Sequence, residues 1–402
     1  MRVRHTISGA TIVVVLLVVT GGCGKHSPDE LFAAGLGHAE KGSWKEAVES
    51  YSRAIEAKPD WSDAYVNRGV ARAALGDYAG AIKDYDEALR LSPEDAGALM
   101  NRGVARHELQ QYGQALEDYT AALAVDETNV DAYRNRAITF QTAGELVAAV
   151  EDYGTAIRLD PDDVNLYRER AAVRREQPDE DAAAVDDALA ELTEAIAKAP
   201  NDPVPRRRRG LAFFEVGEYA LTISDLSEAV RLAPEHPDTY VARGHAWFVQ
   251  GYSDKAIEDY TQAIDRKVAA ASEAYAARGN AYESIGNIAK AVADYAEAVR
   301  LDPEDEDTPM HLAWILATHP AEQYRDGKRA VELARRAVVL TDSRHWRALD
   351  VMAAACAEAG NFEDARQYAE DALALVPPDL RDAVTKRLTL YRSSRPYREA
   401  AD

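Results

Sequence analysis

Shifted by 34 residues, the chain superposes on itself. Ala47, Ala81, Ala115 and Ala149 align, as do Tyr51, Tyr85, Tyr119 and Tyr153, and Ala54, Ala88, Ala122 and Ala156. Gly35, Gly69 and Gly103 form a further column, and Pro59, Pro93 and Pro161 another, with Glu127 filling its gap. Columns resume at Gly210, Gly244 and Gly279, at Ala195, Ala229, Ala263 and Ala298, and at Pro200, Pro234 and Pro303. So strict a recurrence predicts one unit copied end to end, too small to bury its own apolar face and therefore stacked on its neighbours. Two stretches stand outside the pattern. Residues 6–22 carry no charge and centre on the apolar run Ile12 to Val19, after Arg2 and Arg4. Leu380 to Tyr391, with Leu388 and Leu390, predicts a lone helix ending before Ser393-Ser394-Arg395-Pro396.

The period and the columns resemble the tetratricopeptide repeat, a helix–turn–helix unit with small residues at positions 8, 20 and 27, an aromatic at 24 and proline at 32. The resemblance implies an all-α, right-handed solenoid of about ten units with a C-terminal capping helix. In each unit a turn such as Gly76-Asp77 ends the first helix and proline stops the second. The units read Pro28–Trp61, Ser62–Asp95, Ala96–Asn129, Val130–Asp163, Val164–Asp202, Pro203–His236, Pro237–Ala271, Ser272–Asp305, Glu306–Arg344 and His345–Pro378. The fifth carries about five extra residues near Gln177–Asp181, expected as a longer turn between its helices. The ninth is divergent, with a long loop around Thr318–Glu322. The chain is thus organised as 28–305 (eight units), 306–378 (two divergent units) and 379–402 (capping helix and tail). Tyr324-Arg325-Asp326-Gly327 and Leu390-Tyr391-Arg392 resemble the closing segments of other bacterial proteins of this class.

Position 7, apolar in this family, is arginine along most of the array. Arg68, Arg102, Arg136, Arg209, Arg243 and Arg278 are each followed sixteen residues later by Asp84, Asp118, Asp152, Asp225, Asp259 and Asp294. For Arg170 the partner is expected at Glu191, after allowance for the insertion. Both partners are missing together at Ala34 with Ser50 and at Met352 with Tyr368. Joint loss predicts an ion pair between the two helices of each unit. Such a pair sets register more than stability, because desolvation offsets most of its attraction.

At the N terminus a positive start, an apolar run too short at about 1.5 Å per residue for a bilayer core of about 30 Å, and small residues together read as a secretory signal. Val19-Thr20-Gly21-Gly22-Cys23 resembles the lipobox of bacterial lipoproteins, with Thr20 where the family has leucine. The resemblance implies removal of residues 1–22, lipidation of Cys23, and a short linker over residues 23–27. Several acyl chains hold stably where one does not. The alternative is an uncleaved anchor helix. Gly24 in place of aspartate resembles an outer-membrane sorting signal of enteric-type bacteria, on the extracytoplasmic side.

Composition narrows the functions. The 402 residues include 47 Lys and Arg against 69 Asp and Glu, a net charge of −22, which repels phosphate backbones and excludes general nucleic-acid binding. Two cysteines, Cys23 and Cys356, make neither a disulfide framework nor a cysteine zinc site. The nine histidines form no H-E-x-x-H pair, and no phosphate-binding loop or G-x-S-x-G elbow is present. No catalytic residue, metal or cofactor is therefore assigned. Cys356 reads as a small core residue among Ala353, Ala354 and Ala355.

Binding of other proteins remains. The resemblance implies an inner face lined by positions 2, 5, 9, 12 and 13 of each first helix. Position 5 gives Phe32, Val66, Met100, Arg134, Arg168, Arg207, Val241 and Ala276. Position 9 adds Leu36, Val70, Val104, Ile138, Leu211 and His245, and position 12 adds Arg175, Phe214 and Phe248. The expected ligand is an extended or helical segment with apolar anchors around an acidic middle. The competing reading assigns the arginines to neighbours such as Asp131, Glu169 and Asp202, and the apolar residues to packing between repeats. Apolar residues at position 9, where chaperone-binding members carry asparagine, argue against that specificity. The expected role is a membrane-tethered, non-enzymatic scaffold. The alternatives are an intracellular co-chaperone-like regulator held by an uncleaved helix, and a substrate-presenting subunit of an enzyme complex.

Overall fold

A computed structural model describes residues 26–342 and 344–400, and those residues form helices without a strand. The signal segment and Cys23 lie outside the described residues. The chain divides into two compact units. In the first, Met1–Lys198, five hairpins follow one another. They pair α1 (Pro28–Glu40) with α2 (Trp44–Ala57), α3 (Ser62–Ala74) with α4 (Tyr78–Leu91), and α5 (Ala96–Glu108) with α6 (Tyr112–Val125). The last two pair α7 (Val130–Ala143) with α8 (Leu146–Leu159) and α9 (Val164–Glu176) with α10 (Glu180–Lys198). In the second unit, Ala199–Asp402, α11 (Pro203–Glu215) pairs with α12 (Tyr219–Leu232), α13 (Pro237–Val249) with α14 (Ser253–Asp265), and α15 (Ala271–Ser284) with α16 (Ile288–Leu301). Then α17 (Asp307–Thr318) pairs with α18 (Gly327–Leu340) and α19 (Trp346–Glu358) with α20 (Phe362–Leu375), before the final helix α21 (Arg381–Arg392). Within each unit the second helix of one hairpin packs on the first helix of the next.

Local chemistry sets these boundaries. Ser27 and Glu30 close a capping box at α1, with Pro28 in the first turn. The side chains of Asp77, Asp95, Asn129 and Asp163 accept amide hydrogen bonds at the starts of α4, α5, α7 and α9. Between α3 and α4, Gly76 adopts φ +83° and the Asp77 amide donates back to the Arg72 carbonyl at 2.9 Å. Gln110 makes the same turn after α5 at φ 61°, with the Gln111 amide donating to the Arg106 carbonyl at 2.9 Å.

The columns become the core. Tyr51, Tyr85, Tyr119, Tyr153, Tyr260 and Tyr295 are buried, each between its own two helices. Opposite Tyr119, a Cβ on Gly103 would lie 2.7 Å from a ring carbon, so glycine at position 8 is the space the ring fills. In the second unit α19 is buried on every side from Ala348 to Ala357, held by α17, α18 and α20. Its alanines allow that approach. Cys356 sits there, and burial, with Asp364 adding to it, pushes the thiol up to about 11.

The fifth hairpin departs from expectation. The turn spans only Gln177 to Asp179, and the extra residues lengthen α10 to 19 residues against 14 for α8. The segment Glu180–Lys198 is rich in Ala, Leu and Glu and lacks Gly and Pro, so nothing stops the helix earlier. The unshifted Ala183 and Ala190 occupy the buried small positions, and Ala195 does not.

Replacing Gln110 by glycine removes a left-handed strain of about 1–2 kcal/mol and adds back part of it as unfolded-chain entropy. The expected net gain is about 0.5–1 kcal/mol, measured by urea unfolding followed through helical circular dichroism.

Candidate functional site

The arginines of position 7 meet carboxylates on the second helix of their own hairpin. In the first unit Arg68 reaches Asp84 at 2.7 Å, Arg102 reaches Asp118 at 2.6 Å and Arg136 reaches Asp152 at 2.7 Å. In the second, Arg209–Asp225, Arg243–Asp259 and Arg278–Asp294 each close to 2.7 Å. In most of them Nε and Nη2 take one carboxylate oxygen each, the fork geometry that suits arginine. Arg170 pairs with Asp186 at 2.6 Å, and Glu191 is exposed. The insertion falls after this point of α10, so the sixteen-residue spacing is kept and the allowance made for it was misplaced.

The remaining nitrogen reaches out of the hairpin. Nη1 of Arg68, Arg136 and Arg243 donates to Ser52, Thr120 and Ser227, and Arg102 pairs with Asp86. Arg278 likewise donates to Thr261. Each acceptor lies on the second helix of the preceding hairpin, one residue after the column that holds Tyr51 and Tyr119. One guanidinium therefore ties three helices. Where the tenth hairpin lacks this pair, Asp350 of α19 takes Arg387 of α21 in a two-point contact at 2.6 and 3.0 Å.

The inner-face residues separate into two groups. Phe32, Leu36, Val66, Val70 and Met100 are buried, packed with tyrosines of their own and adjoining hairpins, and Ile138 is buried too; Met100 retains 2% exposure. Their burial places them in the packing within and between hairpins. Val104 is half-buried. Arg134 makes a two-point contact with Glu169, Nε lying 2.8 Å from Oε2. Arg168 pairs with Glu194 and Arg175 with Asp187, so these three arginines already hold carboxylates. In the second unit the positions are only partly covered. Val204 and Leu211 are 49% and 43% exposed, Phe214, Val241, His245 and Phe248 are half-buried, and no ion pair of Arg207 occurs among the described residues. Burial lowers the pKa of the His245 imidazole, opposed in part by Glu273.

One cavity went unnoticed in the sequence. It measures about 490 Å³ and is walled by Asn280, Met310, Trp314, Trp346, Asp350 and Arg387. The divergence of the ninth unit hid it. The column containing Ala313 places Trp314 at position 9, and that alignment was the available signal.

The tetratricopeptide repeat profile matches residues 32–96, 67–132, 100–164 and 207–266, and a second profile of the same repeat matches 272–305. Together they cover more than half of the chain. None of the curated proteins matches it significantly. Among solved structures, a MamA fragment from Desulfovibrio magneticus RS-1 is 21% identical over 42% of this chain and 95% of its own, with a TM-score of 0.40. A tetratricopeptide repeat protein from Parabacteroides merdae is 19% identical over 66% and 98%, with a TM-score of 0.37. Yeast Tom70 is 17% identical over 92% and 89%, with a TM-score of 0.38.

Arg243→Met alone strands the buried Asp259 and is expected to cost about 3–5 kcal/mol, whereas Arg243→Met with Asp259→Leu should return to within about 1 kcal/mol of the parent. Equilibrium urea unfolding of the two variants and the parent decides it. Cys356 is expected to resist a thiol reagent at pH 8 in the native protein and to react at once in denaturant, read as absorbance of the released thiolate.

Proposed function

The chain belongs to the tetratricopeptide repeat family, and on that premise we propose that it is a non-enzymatic scaffold that captures segments of other proteins and is tethered to a membrane through a lipidated Cys23. One observation carries the binding half of this reading. The first helices of the sixth and seventh hairpins carry an exposed Leu211, half-buried Phe214, Val241 and Phe248, and Arg207, which lacks an ion-pair partner among the described residues. Partly exposed apolar side chains on first helices that also carry one cation unpaired among the described residues suit a polypeptide segment that buries an apolar anchor and offers a carboxylate. The expected acidic middle narrows to that single contact, because Arg134, Arg168 and Arg175 are already neutralised.

The tether rests on the lipobox resemblance around Cys23 and on the charged, apolar and small-residue order before it. No helix among the described residues is long and apolar enough to cross a membrane. With Gly24 after the lipid site, the reading places the protein on the extracytoplasmic side, at the outer membrane in an enteric-type envelope.

Cross-linking on the fragment Gly24–Asp402, followed by mass spectrometry of the captured envelope proteins, tests the binding half. Phe214→Ala with Phe248→Ala, or Arg207→Ala, should lower capture at least tenfold, while Arg168→Ala leaves it unchanged; equal capture by all of them sinks the groove. For the tether, Cys23→Ser should abolish incorporation of labelled palmitate and release the protein from membranes. A full-length mass retaining residues 1–22 would instead favour the uncleaved helix.

A further inference from the structure

The cavity of the second unit opens on a face built mainly from first helices, with Asn280 from α15, Met310 and Trp314 from α17 and Asp350 from α19, joined by Tyr295 of α16 and closed by Arg387 of α21. Part of that face is already covered by the chain itself. After α21 the Arg395 amide turns back to the Leu390 carbonyl at 3.0 Å, and residues 395–400 continue without regular structure. They cross the C-terminal ends of α17 and α19. The Glu399 amide donates to the Thr318 carbonyl at 3.0 Å, and Trp314 Nε1 donates to the Glu399 carboxylate at 2.6 Å. Arg398 pairs with Glu358 at 2.5 Å and donates to the Ala317 carbonyl at 3.3 Å. Tyr397 lies 5.9 Å from the Trp314 ring, and the Arg387 guanidinium stands over both rings, at 5.4 Å from Trp314 and 5.5 Å from Tyr397.

The contacts are those of a bound peptide: one main-chain hydrogen bond, one aromatic ring, one arginine and one carboxylate, each met by a matching group. They are also separable from the body beneath. Without the tail Glu358 keeps Arg325 at 3.0 Å, and Asp350 keeps Arg387. No charge is stranded, so the large penalty of breaking a buried pair does not arise. What would be left bare is an indole N–H and two carbonyls, at an edge where residues 396–399 are half-buried and water can replace them.

We propose that residues 395–399 are the resting occupant of a peptide seat on α17 and α19, and that a partner segment presenting an aromatic residue, an arginine and a glutamate in succession displaces them. This deepens the scaffold reading, since it rests on first-helix faces being the binding surface. It adds a second seat, away from Arg207 and Phe248, that is closed until its own tail leaves.

The test uses a fluorescein-labelled synthetic peptide of the last eight residues, Arg-Pro-Tyr-Arg-Glu-Ala-Ala-Asp, in anisotropy titrations against the chain from Gly24. Protein ending at Ser394 should bind the peptide at least tenfold more tightly than protein ending at Asp402. Substituting alanine for the peptide's tyrosine and glutamate should remove that binding. Because truncation could disturb α21, the full chain carrying Arg398→Ala and Glu399→Ala is run beside it and should also open the seat. Equal binding by closed and opened proteins, or no binding by either opened form, overturns the proposal. Phe214→Ala with Phe248→Ala, which tests the groove, should leave this titration unchanged, so each reading can fail without the other.

Discussion

A hairpin of two short helices buries only one stripe of each, and its stability and its pitch both come from the next hairpin. In this chain the pitch is held by a guanidinium. Arg68, Arg102, Arg136 and Arg243 each use Nε and Nη2 on the partner helix and Nη1 on the helix before. A planar fork tolerates little rotation, so one side chain fixes the angle within a hairpin and the offset between two. The tyrosine and glycine columns could slide by a fraction of a turn and still bury area. The fork could not.

That arrangement contributes definition more than energy. Two charges taken out of water recover roughly what they lost, and only an unmatched one is costly. Paired presence and paired absence along the array follow directly, since either charge without its partner is what packing cannot absorb. Some hairpins add a second donor: Arg72 joins Arg68 on Asp84, and Arg106 joins Arg102 on Asp118. Arg174 joins Arg170 on Asp186, in the fifth hairpin, where Gly154 of the preceding hairpin offers no side chain to the remaining nitrogen.

The architecture was legible because its causes are local and repeated: small residues where helices touch, tyrosine where they part, glycine or proline where they stop. The error over Glu191 has the same origin. Five extra residues were placed in a turn, as periodicity invites, although Glu180 to Lys198 contains nothing that ends a helix. The inner face was harder to read. Positions 5 and 9 are named by phase, yet whether Met100 is buried and Leu211 open depends on the side chains of the adjoining hairpin, information no single column holds. The seat of Tyr397 and Glu399 was invisible for a stronger reason, because its parts are separated by 85 residues between Trp314 and Glu399 and belong to no repeat.

Charge then decides what kind of recognition the open surfaces can perform. With a net charge of −22, the molecule repels acidic partners at a distance, and at physiological ionic strength that repulsion fades beyond about 8 Å. An arginine already holding a carboxylate adds little attraction for another, which removes Arg134, Arg168 and Arg175 from the account. What remains is short-ranged: exposed Leu211, half-buried Phe214 and an Arg207 without an ion pair among the described residues, and the Trp314 indole that donates to the chain's own Glu399. Short-ranged recognition discriminates by shape and by the order of side chains rather than by total charge. On the scaffold reading, an acidic surface punctuated by such places rejects most encounters and retains a segment whose apolar and charged groups arrive in the right sequence.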